Sequence, residues 1–292
     1  MNPRFRILSL AAWGLTFVGA LPAAELKQAT LSAWDQYVQS ADAAMQDRLR
    51  TGNQFLWADE AGGRRRQLRA GEILVTELGE RNPRKVPSGL IHHWLGAAFI
   101  PNAKLANVLG VVRDYEHYKD YYNPTVIDSR TIRQTPAADR FSTLLMNKAL
   151  FLKFALENEC ESFYAQAGPG RWYSISTTVR VQEIEDYGQL SEHKLPSGEG
   201  NGYIWRLHGI NRYEEGDGGV YMEIEAMGLS REIPAAVRWV VDPIVRRVSK
   251  GSLITSLRQT QGAIGSSGQS VGGRTAPIPA LASGFTESAS QR

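Results

Sequence analysis

Apolar and polar positions along this chain follow two rhythms. From residue 30 to 50, Leu31, Trp34, Tyr37, Val38, Ala41, Met45 and Leu49 recur at steps of three and four, which predicts an amphipathic helix. Two strand-like runs follow, Glu72 to Leu78 and Leu90 to Ile100, separated by turn signals at Asn82-Pro83 and Pro87-Ser88-Gly89. In the second run Ile91, His93, Leu95, Ala97 and Phe99 share one face, with His92 and Trp94 on the other. Asn102 is placed to cap a helix running to about Tyr122, with Leu105, Val108, Leu109, Val112, Tyr115, Tyr118 and Tyr122 as its apolar stripe. Asn123-Pro124 closes it, because a residue before proline disfavours the helical region.

The period then changes to two. Strands are expected at 125–133, 140–147, 151–165, 171–184, 203–213 and 220–229, with Gly168-Pro169-Gly170 and Gly216-Asp217-Gly218-Gly219 as turns. Alternation sorts their side chains into two faces. Phe154, Leu156, Asn158 and Cys160 oppose Glu157 and Glu159; Tyr173, Ile175, Thr177 and Val179 oppose Ser174 and Ser176. Trp205, Leu207, Asn211 and Tyr213 oppose Arg206, His208 and Arg212; Met222, Ile224 and Ala226 oppose Glu223 and Glu225. The pattern predicts an antiparallel sheet with one covered face and one wet face. The cover is a helix over 235–262, opened by Pro234 and kinked or interrupted at Pro243. Residues 263–292 are rich in Gly, Ser, Ala and Pro and read as a disordered tail. The fold class is therefore α+β, a curved antiparallel sheet wrapped around a long C-terminal helix.

The covered face supplies the candidate site. Its walls would be Phe154, Leu156, Tyr173, Ile175, Val179, Trp205, Leu207, Met222 and Ile224, with Asn158, Asn211 and Tyr213 as polar anchors. His93 is the one histidine expected to point inward, where it would anchor a ligand oxygen or act as a base. The same residues would equally well pack a dry core, and periodicity alone leaves the two open.

The N-terminus alters the picture of location. Arg4 and Arg6 precede an apolar stretch from Ile7 to Ala20, and Pro22-Ala23-Ala24 supplies small residues before Glu25. That is the order of a secretory signal over residues 1–24, cleaved after Ala20 or Ala24, with an uncleaved anchor as the alternative. Removing Arg4 and Arg6 leaves 31 basic and 30 acidic residues, a net charge of +1, which gives no electrostatic case for nucleic acid. The single Cys160 excludes a disulfide framework within the chain. No zinc-protease, phosphate-loop, dithiol or nucleophile-elbow motif is present, and no cofactor or metal is implied. Gly198, Gly200 and Gly202 are spaced like part of a phosphate loop but precede a strand, not a helix. The basic run Arg64-Arg65-Arg66 reads as a solvated loop.

The segment Val111-Val112-Arg113-Asp114-Tyr115-Glu116-His117-Tyr118-Lys119-Asp120-Tyr121-Tyr122-Asn123-Pro124 resembles a helix of START-like proteins, closest to the coenzyme Q-binding and polyketide cyclase/dehydrase group of the SRPBCC superfamily. There a valine-rich turn leads to an Asp, spaced aromatics and a closing proline. The resemblance covers residues 86–262, after an N-terminal extension over 25–85, and implies a helix-grip fold holding a hydrophobic small molecule between sheet and helix. It implies no single reaction. The reading that follows is an exported, periplasmic or secreted protein that binds or transfers a lipid or isoprenoid and makes transient contact with a membrane. Two other readings stay open. One is a cyclase- or hydrolase-type enzyme using His93, Asn158 and Tyr213. The other is an interaction module that meets a protein partner through the 30–50 helix.

Overall fold

The computed structural model describes residues 24–51, 54–149 and 152–270. The expected signal segment and most of the expected tail lie outside these residues. In chain order the elements are β1 (Ala24–Glu25), α1 (Gln28–Thr51), a 3-10 turn at Trp57–Asp59, α2 (Arg64–Arg69), β2 (Leu74–Glu77), β3 (Arg84–Val86) and β4 (Gly89–Pro101). Then come α3 (Leu105–Val112), a 3-10 turn at Tyr115–His117, α4 (Tyr118–Tyr121), β5 (Val126–Gln134), β6 (Ala138–Ala149), β7 (Leu152–Gly168) and β8 (Arg171–Glu185). The last elements are β9 (His193–Lys194), β10 (Glu199–Gly200), β11 (Arg206–Gly216), β12 (Gly219–Arg231) and α5 (Ala235–Ser270).

The main sheet is antiparallel and open, in the order β2-β4-β12-β11-β8-β7-β6-β5, with β3 attached to β4 and β9 to β8. With α5 laid on one face this is the expected helix-grip, α+β arrangement. The face toward α5 is called inner below. On it α5 and α3 meet the sheet through Leu257, Ala263 and Ile264, and through Leu105, Val108 and Val112, against Ala98, Ile100, Val220 and Met222. The backbone of α5 approaches β2, β4, α3 and α4. A Cβ on Gly96 of β4 would sit 2.8 Å from side-chain atoms of both Leu253 and Leu257, so helix and sheet are in closest contact there.

The outer face is not wet, as the alternation predicted, but covered by the N-terminal segment over β4, β12, β11 and β8. Trp34 and Met45 of α1, with Phe55, Leu56, Ala58 and Leu68, pack on Ile91, Leu95, Phe99, Ile210, Tyr221 and Met227. The charged residues on this face are not solvated either. Arg212 and Glu223 are each 1% exposed and paired at 2.9 Å, and Arg212 also reaches Glu225 at 2.9 Å. The Glu223 carboxylate accepts the backbone N–H groups of Trp57 and Ala58, both at 2.9 Å, which ties the extension to the sheet. Charges paired in this way are held away from water, although Nη2 of Arg212 has no partner among the described residues, so alternation of apolar and charged residues marks a face here and not solvent. The Arg64–Arg66 run is likewise no free loop. It opens α2, with Arg64 stacked on Trp57 and Arg65 bridging Asp59 and Glu214. The apolar stripe of α1 is spent on this packing, which removes the basis for an interaction module built on that helix.

Two helix expectations change. The segment 102–122 is broken after Val112, because Arg113 turns to bond Asp139 at 2.8 and 2.9 Å and the Thr135 carbonyl at 2.7 Å. Asn102 is in the left-handed region (φ 59) and the helix is entered at Lys104. In contrast α5 runs unbroken through Pro243, which lies on its exposed side, and extends to Ser270, past the expected stop at Gly262.

The Gly96 contact carries a prediction. Gly96→Ala forces Leu253 and Leu257 away and should cost ~1–3 kcal/mol by overpacking. Chemical denaturation measures it, and an unchanged midpoint would mean that α5 does not close on β4.

Candidate functional site

Strand pairing sets side chains in rows across the inner face. One row runs Trp94, Ala226, Gly209, Ser176, Ser162, Asp139. A second runs Gly96, Ile224, Asn211, Ser174, Tyr164. Between Trp94 at one side and the Tyr164 and Asp139 group at the other, the inner face is therefore a trough of small and polar residues. The space over it is open where the space over Gly96 is closed. A Cβ on Gly209 would meet only the Glu225 backbone oxygen, at 3.7 Å.

The trough's polar groups partly satisfy one another. Ser162 and Ser176 hydroxyls are 2.5 Å apart, and Asn211 Nδ2 donates to Ser174 Oγ at 3.0 Å. Asn158 is 1% exposed, and its Oδ1 has no partner among the described residues; the same holds for Nε1 of Trp94, 7% exposed. At the far wall Tyr115 stacks on Phe141 with ring centroids 4.0 Å apart and bonds Asp139 at 3.0 Å, while Tyr118 and Tyr164 both donate to the Val112 carbonyl.

Burial shifts several groups on and beside the inner face. Burial pushes the Cys160 thiol up to about 12, yet its side chain keeps accessible surface. Burial, with Arg246 nearby, holds His92 down at about 4, and it too keeps accessible surface beside Ser230 at 3.2 Å. Burial raises Tyr118 well above its usual range, again with surface retained.

The expected site residues divide. Leu156, Asn158, Leu207, Asn211, Tyr213, Met222 and Ile224 lie on the inner face. Of these Leu207, Asn211 and Ile224 keep accessible surface, while Leu156, Tyr213 and Met222 are sealed in packing. Tyr173 and Ile175 are on the outer face, in the core under the N-terminal segment, because their register partners are Arg212 and Ile210. Trp205 joins that outer core as well, since it precedes β11 and is not bound by the strand's alternation. Val179 falls in the bulge between Thr178 and Arg180 and is 41% exposed. His93 faces α1, where Tyr37 Oη is 2.8 Å from Nδ1 and Glu225 is 3.0 Å from Nε2. Strand β4 is buried on both sides, so an inward-pointing residue there has two faces to choose from, and His92 takes the inner one. Phe154 lies in β7, but its side chain is outside the described residues. With His93 on the other face, the set His93, Asn158 and Tyr213 does not converge on one volume. Sequence reasoning missed His92, Trp94, Cys160 and Gly209; the last two were legible only as a small residue and a glycine in alternating strands.

The glycine-rich segment 198–202 is an anion cradle filled from within. Backbone N–H groups of Asn201 and Gly202 donate to the Glu183 carboxylate at 2.7 Å, and a Cβ on Gly200 (φ 116) would sit 2.7 Å from it. Two open grooves of about 330 and 260 Å³ lie on the outer face beyond the cover of α1. The larger is lined by ions of both signs, among them Arg130, Lys194 and Glu157, and the smaller has Asp139 and Ser162 of the first row among its lining residues.

Among known proteins, no family model matches the chain and no curated protein matches it. Solved structures do. A STAR-related lipid transfer protein from Xanthomonas axonopodis is similar at 15% identity and TM-score 0.42, over 65% of this chain and 98% of that one. Human STARD10 is similar at 10% identity and TM-score 0.41, over 67% and 74%. The Zhui aromatase/cyclase from Streptomyces sp. R1128 is similar at 9% identity and TM-score 0.42, over 63% and 99%. At these scores the likeness is one of fold outline, and the site is read from its own residues.

The thiol gives a direct check on enclosure. With its pKa near 12, Cys160 should react with iodoacetamide at pH 8 roughly a thousandfold more slowly than an ordinary thiol, and label fully only after denaturation. Rapid labelling of the folded protein, followed by mass, would contradict an enclosed position.

Proposed function

We propose that the chain binds a hydrophobic small molecule in the cavity between the inner sheet face and α5. The observation that carries this reading is the row of small residues Ala226, Gly209, Ser176 and Ser162 across the inner face, with open space over Gly209. The walls that keep surface are Leu207, Ile224 and Ala226, with Asn211 among the polar groups. Resemblance to START-like proteins supports a lipid or isoprenoid as the cargo, taken up from or delivered to a membrane. The signal-like order of residues 1–24 supports export, so the mature chain should begin near Leu21 or Glu25. N-terminal sequencing from the native host decides this, and retention of Met1 in the cytoplasm contradicts it.

The binding reading is tested with a neutral fluorescent probe, N-phenyl-1-naphthylamine. The parent protein should take up the probe. Gly209→Leu, which projects four carbons into the open space, should abolish uptake with a change in stability under about 1 kcal/mol. A parent that takes up no probe, together with a Gly209→Leu variant destabilised by ~1–3 kcal/mol, would mean a solid core.

A further inference from the structure

Leu253 and Leu257 seat α5 on the sheet, and Leu257 is fully buried. Eighteen residues earlier, five turns of an α-helix, the same stripe carries Trp239. Trp239 is 78% exposed, so the seating stripe continues beyond its seat. An exposed indole keeps a large apolar surface in water and has an N–H that favours a wet partner. Side chains of that kind settle at membrane–water interfaces.

The residues that follow on this side of the helix are cationic. Pro243, Arg247 and Lys250 lie within about 80° of Trp239 around the helix axis, and all three are exposed. Arg247 and Lys250 have no counter-ion among the described residues. Arg246 ties the same side to the segment before β3, through Glu77 at 3.1 Å and the Asn82 carbonyl at 2.6 Å. The neighbour of Asn82 is Arg81, exposed and likewise without a counter-ion among the described residues. Arg238 and Asp242, one turn apart, each hold a buried atom without a partner there, Nε and Oδ1, and offset one another in charge. Arg238 also reaches Glu232 at 3.4 Å. The excess that faces water is therefore the positive charge of Arg81, Arg247 and Lys250.

A protein interface of ordinary size buries about 800 Å² on each partner, and one indole among unpaired cations is little apolar surface for that. Two copies of this face would also bring like charges together. A bilayer with anionic lipid answers both features at once. The indole enters the boundary between head groups and acyl chains, and the cations meet phosphates. No helix among the described residues is long and apolar enough to cross a membrane, so contact through α5 is peripheral. Arg246 also lies near His92, which with Ser230 keeps accessible surface at this end of the inner face.

Resting on the reading that cargo is exchanged with a membrane, we propose that the side of α5 from Trp239 to Lys250 docks on an anionic bilayer surface. Trp239 supplies the apolar anchor, and Arg247 and Lys250 supply the preference for anionic lipid.

The test is co-sedimentation with sucrose-loaded vesicles. The protein is taken in the form that begins at Leu21, which keeps every described element and omits the apolar stretch Ile7 to Ala20, itself able to bind vesicles. Affinity for phosphatidylcholine vesicles carrying about one-third phosphatidylglycerol should exceed that for phosphatidylcholine alone at least tenfold, and should fall as salt is raised. Trp239→Ala should weaken binding to the anionic vesicles about tenfold. Arg247→Gln with Lys250→Gln should weaken it about thirtyfold, at roughly 1 kcal/mol per charge. Val248→Ala is the control: it is exposed, and nine residues, two and a half turns, set it on the opposite side from Trp239. It should bind within twofold of the parent. All of these side chains are exposed, so the melting temperatures should match the parent's. Lipid with brominated acyl chains should quench tryptophan emission in the parent and not in Trp239→Ala.

Equal affinity for the two kinds of vesicle, no sedimentation with either, or a Trp239→Ala variant that binds like the parent overturns the proposal. Dimerisation of the parent that Trp239→Ala abolishes would give the face to a second copy, and tighter binding to polyglutamate than to the anionic vesicles would give it to an acidic polypeptide; either overturns the proposal. Uptake of N-phenyl-1-naphthylamine without vesicles reports on the cargo site separately. Normal uptake with failed docking leaves the ligand-binding reading standing, and docking without uptake overturns that reading alone.

Discussion

The closing of Leu253 and Leu257 onto Gly96 is the contact on which the proposed cavity depends. It sets the height of α5 at the β4 side of the sheet, where only a glycine allows the approach. Farther across the sheet the residues on β12, β11, β8 and β7 are Ala226, Gly209, Ser176 and Ser162, too small to fill a gap that helix and sheet do not close by themselves. The far side is held by a different packing, in which α3 and the tyrosines after it lean on Phe141, Tyr164 and the buried Arg113–Asp139 pair. On the proposed reading, these contacts support both margins of a space floored by small residues.

The outer face solves a separate problem. An open sheet with α5 on one side needs a second cover, and the N-terminal segment provides it. Burying Arg212 with Glu223 and Glu225 is costly by itself, and the backbone N–H groups of Trp57 and Ala58 complete the set. His93 and Tyr37 extend that network to α1, and His208 adds a second tie through Asp42 at 2.9 Å. Most polar groups of the outer face are thereby engaged in attaching the extension, Nη2 of Arg212 and Nε1 of Trp205 being buried without a partner among the described residues. The inner face carries smaller side chains and no such cover over Gly209, and that difference is why the site is placed there.

Much of the fold was legible in the sequence. The alternating runs, the turn at Gly216 to Gly219 and the length of the last helix pointed to an antiparallel sheet gripped by one helix, and the inner faces of β7, β11 and β12 followed from alternation. The failures share a physical cause. Where both faces are covered, apolar alternation states a face without saying which, and so Tyr173, Ile175 and His93 were assigned to the wrong side. A bulge at Val179 and a pre-strand position at Trp205 shifted the count by one residue. The space over Gly209 and the unpaired atoms of Asn158 and Trp94 were not legible at all, because they depend on where α5 stops touching the sheet.

Native mass spectrometry of the protein purified gently from its own host tests the cavity most directly. The account predicts a population carrying a single noncovalent adduct of a few hundred daltons, lost on denaturation and extractable into organic solvent. A bare chain that also acquires no adduct when offered the host's extracted neutral lipids would contradict it.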